Sequence, residues 1–236
     1  MNKLHSLVLA IILLAGGISV ATAQDFDKGL QAYDAGDYQT ALQEWLPLAE
    51  QGYVAAQNNL GLIYREGLGV PQDYAETAKW YRLAAEQGDV AAQNNLALMY
   101  SRGLGVPQDY AETAKWYRLA AEQGEARAQF ALGWQFEKGK GVPQDYAEAV
   151  KWYRLAAEQG NAIAQNNLGL NYFMGNGVLQ SIVLAHMWAN IASANGAYGA
   201  GEWRDDLASQ MTNADISEAQ RMARECMSSN YQNCGY

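Results

Sequence analysis

The chain has 236 residues, half of them hydrophobic, and a net charge of −9 from 16 basic and 25 acidic side chains. That balance excludes nucleic-acid binding, which needs a cationic footprint to displace counterions, and argues against anionic membrane surfaces for the same reason. Beyond the first 23 residues a single histidine, His186, and two cysteines remain, too few for the usual metal clusters.

The first 23 residues stand apart. Lys3 gives a short basic start, residues 7–15 are an unbroken apolar run, and Ala21-Thr22-Ala23 follows two glycines. This is the pattern of an export leader cut after Ala23. A membrane anchor would need about 20 continuous apolar residues, and Gly16, Gly17 and Ser19 interrupt the run too early. The expected mature chain is therefore periplasmic or secreted, without a membrane span. Loss of Lys3 takes its charge from −9 to −10.

Residues 24–52 read as a degenerate opening helical hairpin with its turn at Ala35-Gly36-Asp37. Tyr38, Ala41 and Trp45 keep the register of Tyr74, Thr77 and Tyr81 further on, and Pro47 is expected to bend the second helix.

The nonapeptide WYRLAAEQG then occurs at 80–88, 116–124 and 152–160, each copy 36 residues after the last. A fixed period of this size marks an array in which each unit buries its apolar face on its neighbours. Counted from the recurring Gly52, Gly88, Gly124, Gly160 and Gly196, four units span 53–88, 89–124, 125–160 and 161–196.

Within a unit a first helix is predicted over 54–66, with Ala56, Leu60 and Tyr64 on one stripe. Gly61 recurs in mid-helix as Gly133 and Gly169, where glycine costs roughly 1 kcal/mol against alanine. The repetition implies a close helix–helix approach. Gly67-Leu68-Gly69-Val70-Pro71 ends this helix, and Asp73 with Glu76 forms a capping box for a second helix over 74–86. Ala78, Tyr81 and Ala85 make its apolar stripe, and Lys79 and Arg82 pair with Glu76 and Glu86. Each unit is an antiparallel helix hairpin, and the whole is an all-α solenoid.

The fourth unit departs by replacing Val-Pro-Gln-Asp-Tyr with Val178-Leu179-Gln180-Ser181-Ile182, with Ser181 as the cap of a helix over 182–194. Residues 197–236 lose the pattern. Helices over 203–211 and 216–227, the latter capped by Thr212 or Asn213, form a C-terminal helical cap that shields the end of the stack. Cys226 and Cys234 lie in this tail; after export they are expected to form a disulfide, free thiols being the alternative.

The pattern A-x-A-Q-x-N-L-G-x-x-Y followed by G-x-G-V-P-Q-D-Y-x-x-A-x-x-W-Y-x-x-A-A-E-Q-G, over residues 53–196, resembles the Sel-one-like repeat (SLR) family, relatives of the tetratricopeptide repeats. The resemblance implies a right-handed α-solenoid whose first helices line a concave face used for protein–protein interaction, and it implies an exported bacterial adaptor. Some cysteine-rich relatives have been linked to penicillin-type ligands, but units 53–196 contain no cysteine.

Binding residues are sought where a unit breaks the consensus. The third unit does so most, with Arg127, Phe130 and Trp134 on its first helix. Phe130 and Trp134 share a face and align with Asn58/Leu62, Asn94/Leu98 and Asn166/Leu170, a ladder that the family's geometry puts on the concave wall. The expectation is a groove of carboxamides and apolar side chains with Phe130 and Trp134 as its anchors. The alternative is that both fill space between units, and the second asparagine of each pair (Asn59, Asn95, Asn167) is expected to bond neighbouring backbone at the junctions.

No catalytic residue is identified. His186 falls at the register of Ala78, a packing position, and the recurring Asp73 and Glu86 repeat as caps and solvent-face residues. The Gly-Leu-Gly connectors lack phosphate-loop spacing. No cofactor or metal is expected. The reading is an exported, monomeric, non-enzymatic scaffold for a protein or peptide partner; the alternative is a binding protein for cell-wall glycan or peptide fragments.

Overall fold

A computed structural model describes residues 25–232 and Cys234. The expected leader lies outside the described residues. The opening hairpin is α1 (Phe26–Asp34) and α2 (Tyr38–Glu50), and α2 runs on through Pro47 as one helix. The four units are the pairs α3 (Val54–Glu66) and α4 (Tyr74–Glu86), α5 (Val90–Arg102) and α6 (Tyr110–Glu122), α7 (Ala126–Lys138) and α8 (Tyr146–Ala157), and α9 (Ala162–Met174) and α10 (Ile182–Ala194). Two further helices, α11 (Ala200–Ala208) and α12 (Asn213–Ser228), pack on α10. Every other helix packs chiefly on its neighbours in sequence, as a one-dimensional stack requires. The fold is an all-α, right-handed solenoid of helix hairpins.

Helix ends follow local chemistry. Gly67, Gly103, Gly139 and Gly175 take the left-handed conformation after each first helix. Asp73, Asp109 and Asp145 each accept two backbone N–H groups at the start of the second helix. Only half of the expected capping box forms. Glu76 turns to Lys79 rather than back to the cap, and the Asp73 N–H donates to the carbonyl of Tyr64 at 2.9 Å. Gln72, Gln108, Gln144 and Gln180 each donate to a carbonyl at the end of the preceding helix, which explains the glutamine of the connector. Arg82 reaches the Tyr100 hydroxyl of the next unit at 2.7 Å, where Glu86 was expected as its partner.

The core is built from small residues facing large ones. Leu60, Leu96, Leu132 and Leu168 are fully buried, with Trp80, Trp116, Trp152 and Trp188 beside them. A Cβ on Gly61 would lie 2.5 Å from the Tyr81 ring, so the mid-helix glycine does mark close approach. Ala97 replaces it in the second unit, and there the matching Tyr117 is less deeply buried than Tyr81 or Tyr153. In the fourth unit Ala189 stands in place of the tyrosine, and Trp203 from α11 fills the space, 3.1 Å from a Cβ built on Gly169.

The terminal helices start three residues earlier than expected. Gly199, in left-handed conformation, opens α11 at Ala200, and Thr212 caps α12 by accepting the Asp215 N–H. Cys226 and Cys234 are joined by a disulfide that ties the tail back to α12.

Candidate functional site

The junction between units is held by a ladder of amides. Gln57, Gln93, Gln129 and Gln165, all buried, donate to carbonyls of the preceding helix at 3.0–3.2 Å. Their own carbonyls accept from Gln87, Gln123, Gln159 and Asn195 at 2.8–2.9 Å. This corrects the role expected of Asn59, Asn95 and Asn167, because the glutamine two positions earlier already occupies the junctional backbone. Asn58, Asn94 and Asn166 are half-buried, and their side-chain amides make no hydrogen bond among the described residues.

The three junctions between the four units each leave a hollow lined by residues of the first helices. Leu98 lines one of about 250 Å³ with Tyr74 and Leu104. Leu170 lines another of about 210 Å³ with Glu137 and Asn176. Between them Phe130 and Trp134, on α7, line a third of about 220 Å³ with Tyr110, Tyr117 and Gln135. Leu62 is half-buried at the matching position of α3, and Arg127 is exposed one turn before Phe130.

The central hollow differs from the others in chemistry. The Phe130 ring packs on Tyr153 with centroids 5.9 Å apart, which fixes it from behind. Trp134 and Tyr110 both face the Lys140 ammonium, at 5.1 and 5.0 Å from their ring centroids. Burial raises the pKa of the Tyr117 phenol, which is neutral at physiological pH. Gln135, 2 % exposed, donates to the Tyr110 carbonyl at 3.4 Å, while its Oε1 has no partner among the described residues. Neither Lys140 nor Gln135 was singled out from the sequence, although both break the repeat: their counterparts are Leu104 and Met99.

His186 is 1 % exposed, with no hydrogen-bond partner for Nδ1 among the described residues. Burial, then the positive charge of Arg204, lowers its pKa, and Asp205 opposes this. The unfolded chain takes up its proton near pH ~6.5, so stability is lost as pH falls below that value, until the folded imidazole titrates as well. We expect the melting temperature to fall between pH 7.5 and 5.5, and His186→Val, which installs the residue found at Val150, to flatten that slope. An unchanged slope would remove His186 as its source. Among the described residues no group of three His, Cys, Asp or Glu is placed to hold a metal ion, and no helix is long and apolar enough to cross a membrane.

Residues 54–89, 90–125, 126–161 and 162–196 each match the Sel1 repeat. Among solved structures, the chain is similar to a protective antigen present in uropathogenic Escherichia coli strains that displays an SLR fold. The identity is 33 % and the TM-score 0.76, over 87 % of this chain and 46 % of that one, so this chain spans about half the antigen's length. It is also similar to a Sel1 repeat protein from Oxalobacter formigenes, with 33 % identity and a TM-score of 0.75 over 90 % of this chain and 93 % of that one. No curated protein matches the chain significantly. With four repeats matched in tandem and likeness to solved SLR structures over 87 % and 90 % of its length, the chain belongs to the Sel1 repeat family, whose members generally serve as protein-interaction scaffolds.

Proposed function

We propose that the protein is an exported, non-enzymatic adaptor that binds a protein or peptide partner along the face formed by α3, α5, α7 and α9, centred on Phe130 and Trp134. The observation that carries this reading is the central hollow: two half-buried aromatic side chains, Phe130 packed on Tyr153 and Trp134 beside it, where the neighbouring units place asparagine and leucine. Aromatics at the centre of an interface commonly dominate its energy. The unbonded amides of Asn58, Asn94 and Asn166 run along the same face and suit the backbone of an extended peptide. The likeness to a protective antigen is in keeping with export of this chain.

Sugar stacking is less well supported. The recurring Trp80, Trp116 and Trp152 are only 4–6 % exposed, and the Lys79, Lys115 and Lys151 ammonium groups lie over their rings at 4.7, 4.9 and 5.5 Å, so little ring surface is left for a sugar.

The test is affinity capture from periplasmic and secreted extracts, run with the native chain and a Phe130→Asn, Trp134→Leu variant side by side. A protein held by the first and released by an equally folded second supports the reading. Retention of the same proteins by both would move the docking surface elsewhere, and fractionation showing the chain in the cytoplasm would end the export claim.

A further inference from the structure

The central hollow is not simply apolar. Tyr110 and Trp134 line it with their ring faces toward the Lys140 ammonium, and Gln135 also lines it, its buried Oε1 without a hydrogen-bond partner among the described residues. Ring faces carry negative electrostatic potential, and an amide oxygen is an acceptor only. The two ring faces favour positive charge and the oxygen takes a donor, and an ammonium group satisfies both. Such a group already sits there: the Lys140 ammonium lies about equally far from both rings, on the connector that follows α7. The preceding unit places Leu98 and Leu104 where this one places Trp134 and Lys140, so cage and cation occur together in the third unit. Lys140 itself is exposed, and its ammonium is held only by these two ring faces and by its own tether.

We infer that this hollow is an aromatic cage for a lysine side chain of the partner, and that Lys140 is an internal guest which the partner's lysine displaces. The net charge of −9 favours a basic segment as the visitor. Gln135 Oε1 accepts a hydrogen bond from the incoming ammonium, which leaves Lys140 free to swing into solvent. The inference deepens the docking surface proposed above and names the chemistry that its centre reads.

The experiment uses the whole chain and two small probes, Nα-acetyl-lysine methylamide and its norleucine counterpart, which lacks the ammonium. The readout is NMR shifts of the Trp134 indole N–H and the Gln135 side-chain amide, assigned with Trp134→Leu. The lysine probe is expected to shift both signals with millimolar affinity, and the norleucine probe to do so far more weakly. Lys140→Ala, a change at an exposed loop position, is expected to tighten the lysine probe about two- to fivefold, the size of a cation–π contact at an exposed site. Equal binding of the two probes would overturn the cage, as would signals unmoved by the lysine probe in both native chain and Lys140→Ala. Capture of a partner that is lost in the Phe130→Asn, Trp134→Leu variant but indifferent to these probes would keep the adaptor and discard the cage. The converse result would keep the cage and discard the adaptor.

Discussion

Replacing Gly141 by alanine is expected to destabilise the array by about 3–4 kcal/mol, whereas Gly124→Ala costs only about 1–2 kcal/mol. Both glycines have positive φ, +76° and +92°, so both substitutions put an L-residue in a strained conformation. Only one also meets an obstacle. A Cβ on Gly141 would stand 1.9 Å from the Tyr110 carbonyl oxygen and 2.2 Å from its carbon, while one on Gly124 meets nothing within 4 Å. The obstacle is backbone at the start of α6, held in a hydrogen-bonded helix, and it cannot swing aside as a side chain could. Relief requires the connector after α7 to lift off the preceding unit, which opens the junction between them. Gly105 and Gly177 make the same approach to Tyr74 and Tyr146, at 2.0 and 2.3 Å, so the contact is a standing feature of the stack. Thermal unfolding followed by circular dichroism checks this: a drop on the order of 10 °C for Gly141→Ala, with a broadened transition as units uncouple, against a few degrees for Gly124→Ala. Equal losses would show that φ alone matters and that the close approach yields readily.

That contact also marks the limit of what the sequence discloses. Helices α3 to α10 follow from local punctuation, because a left-handed glycine and a capping aspartate act within one turn of the helix they end or begin. The start of α11 escapes this punctuation because Gly199 opens the helix without a capping side chain; α12 is capped by Thr212, one of the two caps expected, but begins directly after it at Asn213. What lay hidden is non-local. The second glycine of each connector looks like loop flexibility until the neighbouring unit is placed against it. The Gln57–Gln87 pair joins residues 30 positions apart, and only its repetition every 36 residues could have hinted at a junctional role. Phe130 and Trp134 stood out because they break a ladder on a helix face. Lys140 breaks the same consensus, but in a connector, and nothing in a linear reading brings its ammonium over Trp134 and Tyr110.

Reverting those two aromatics to the residues carried by the other units, Phe130→Asn with Trp134→Leu, is expected to weaken partner binding by about 2–4 kcal/mol, or 30- to 1000-fold. The choice of replacement separates binding from folding. Asparagine and leucine occupy the matching positions in three units of this same stack, as Asn58/Leu62, Asn94/Leu98 and Asn166/Leu170, so the backbone accepts them without a new cavity in a unique place. The variant does lose the Phe130 contact with the Tyr153 ring and the Lys140 contact with Trp134. Each is worth about 0.5–1.5 kcal/mol, giving a melting point lower by a few degrees. Against a partner the loss is larger, because a flat, rigid aromatic pair offers desolvated area that a leucine and a polar amide do not. The two effects therefore differ in size as well as in kind. If the variant melts more than 10 °C lower, by the scale of ~2–4 °C per kcal/mol for an array of this length, yet binds its partner normally while folded, Phe130 and Trp134 are spacers between units. If it melts within a few degrees of the native chain and has lost its partner, they are the anchors, and the third unit is where this otherwise regular solenoid carries its specificity.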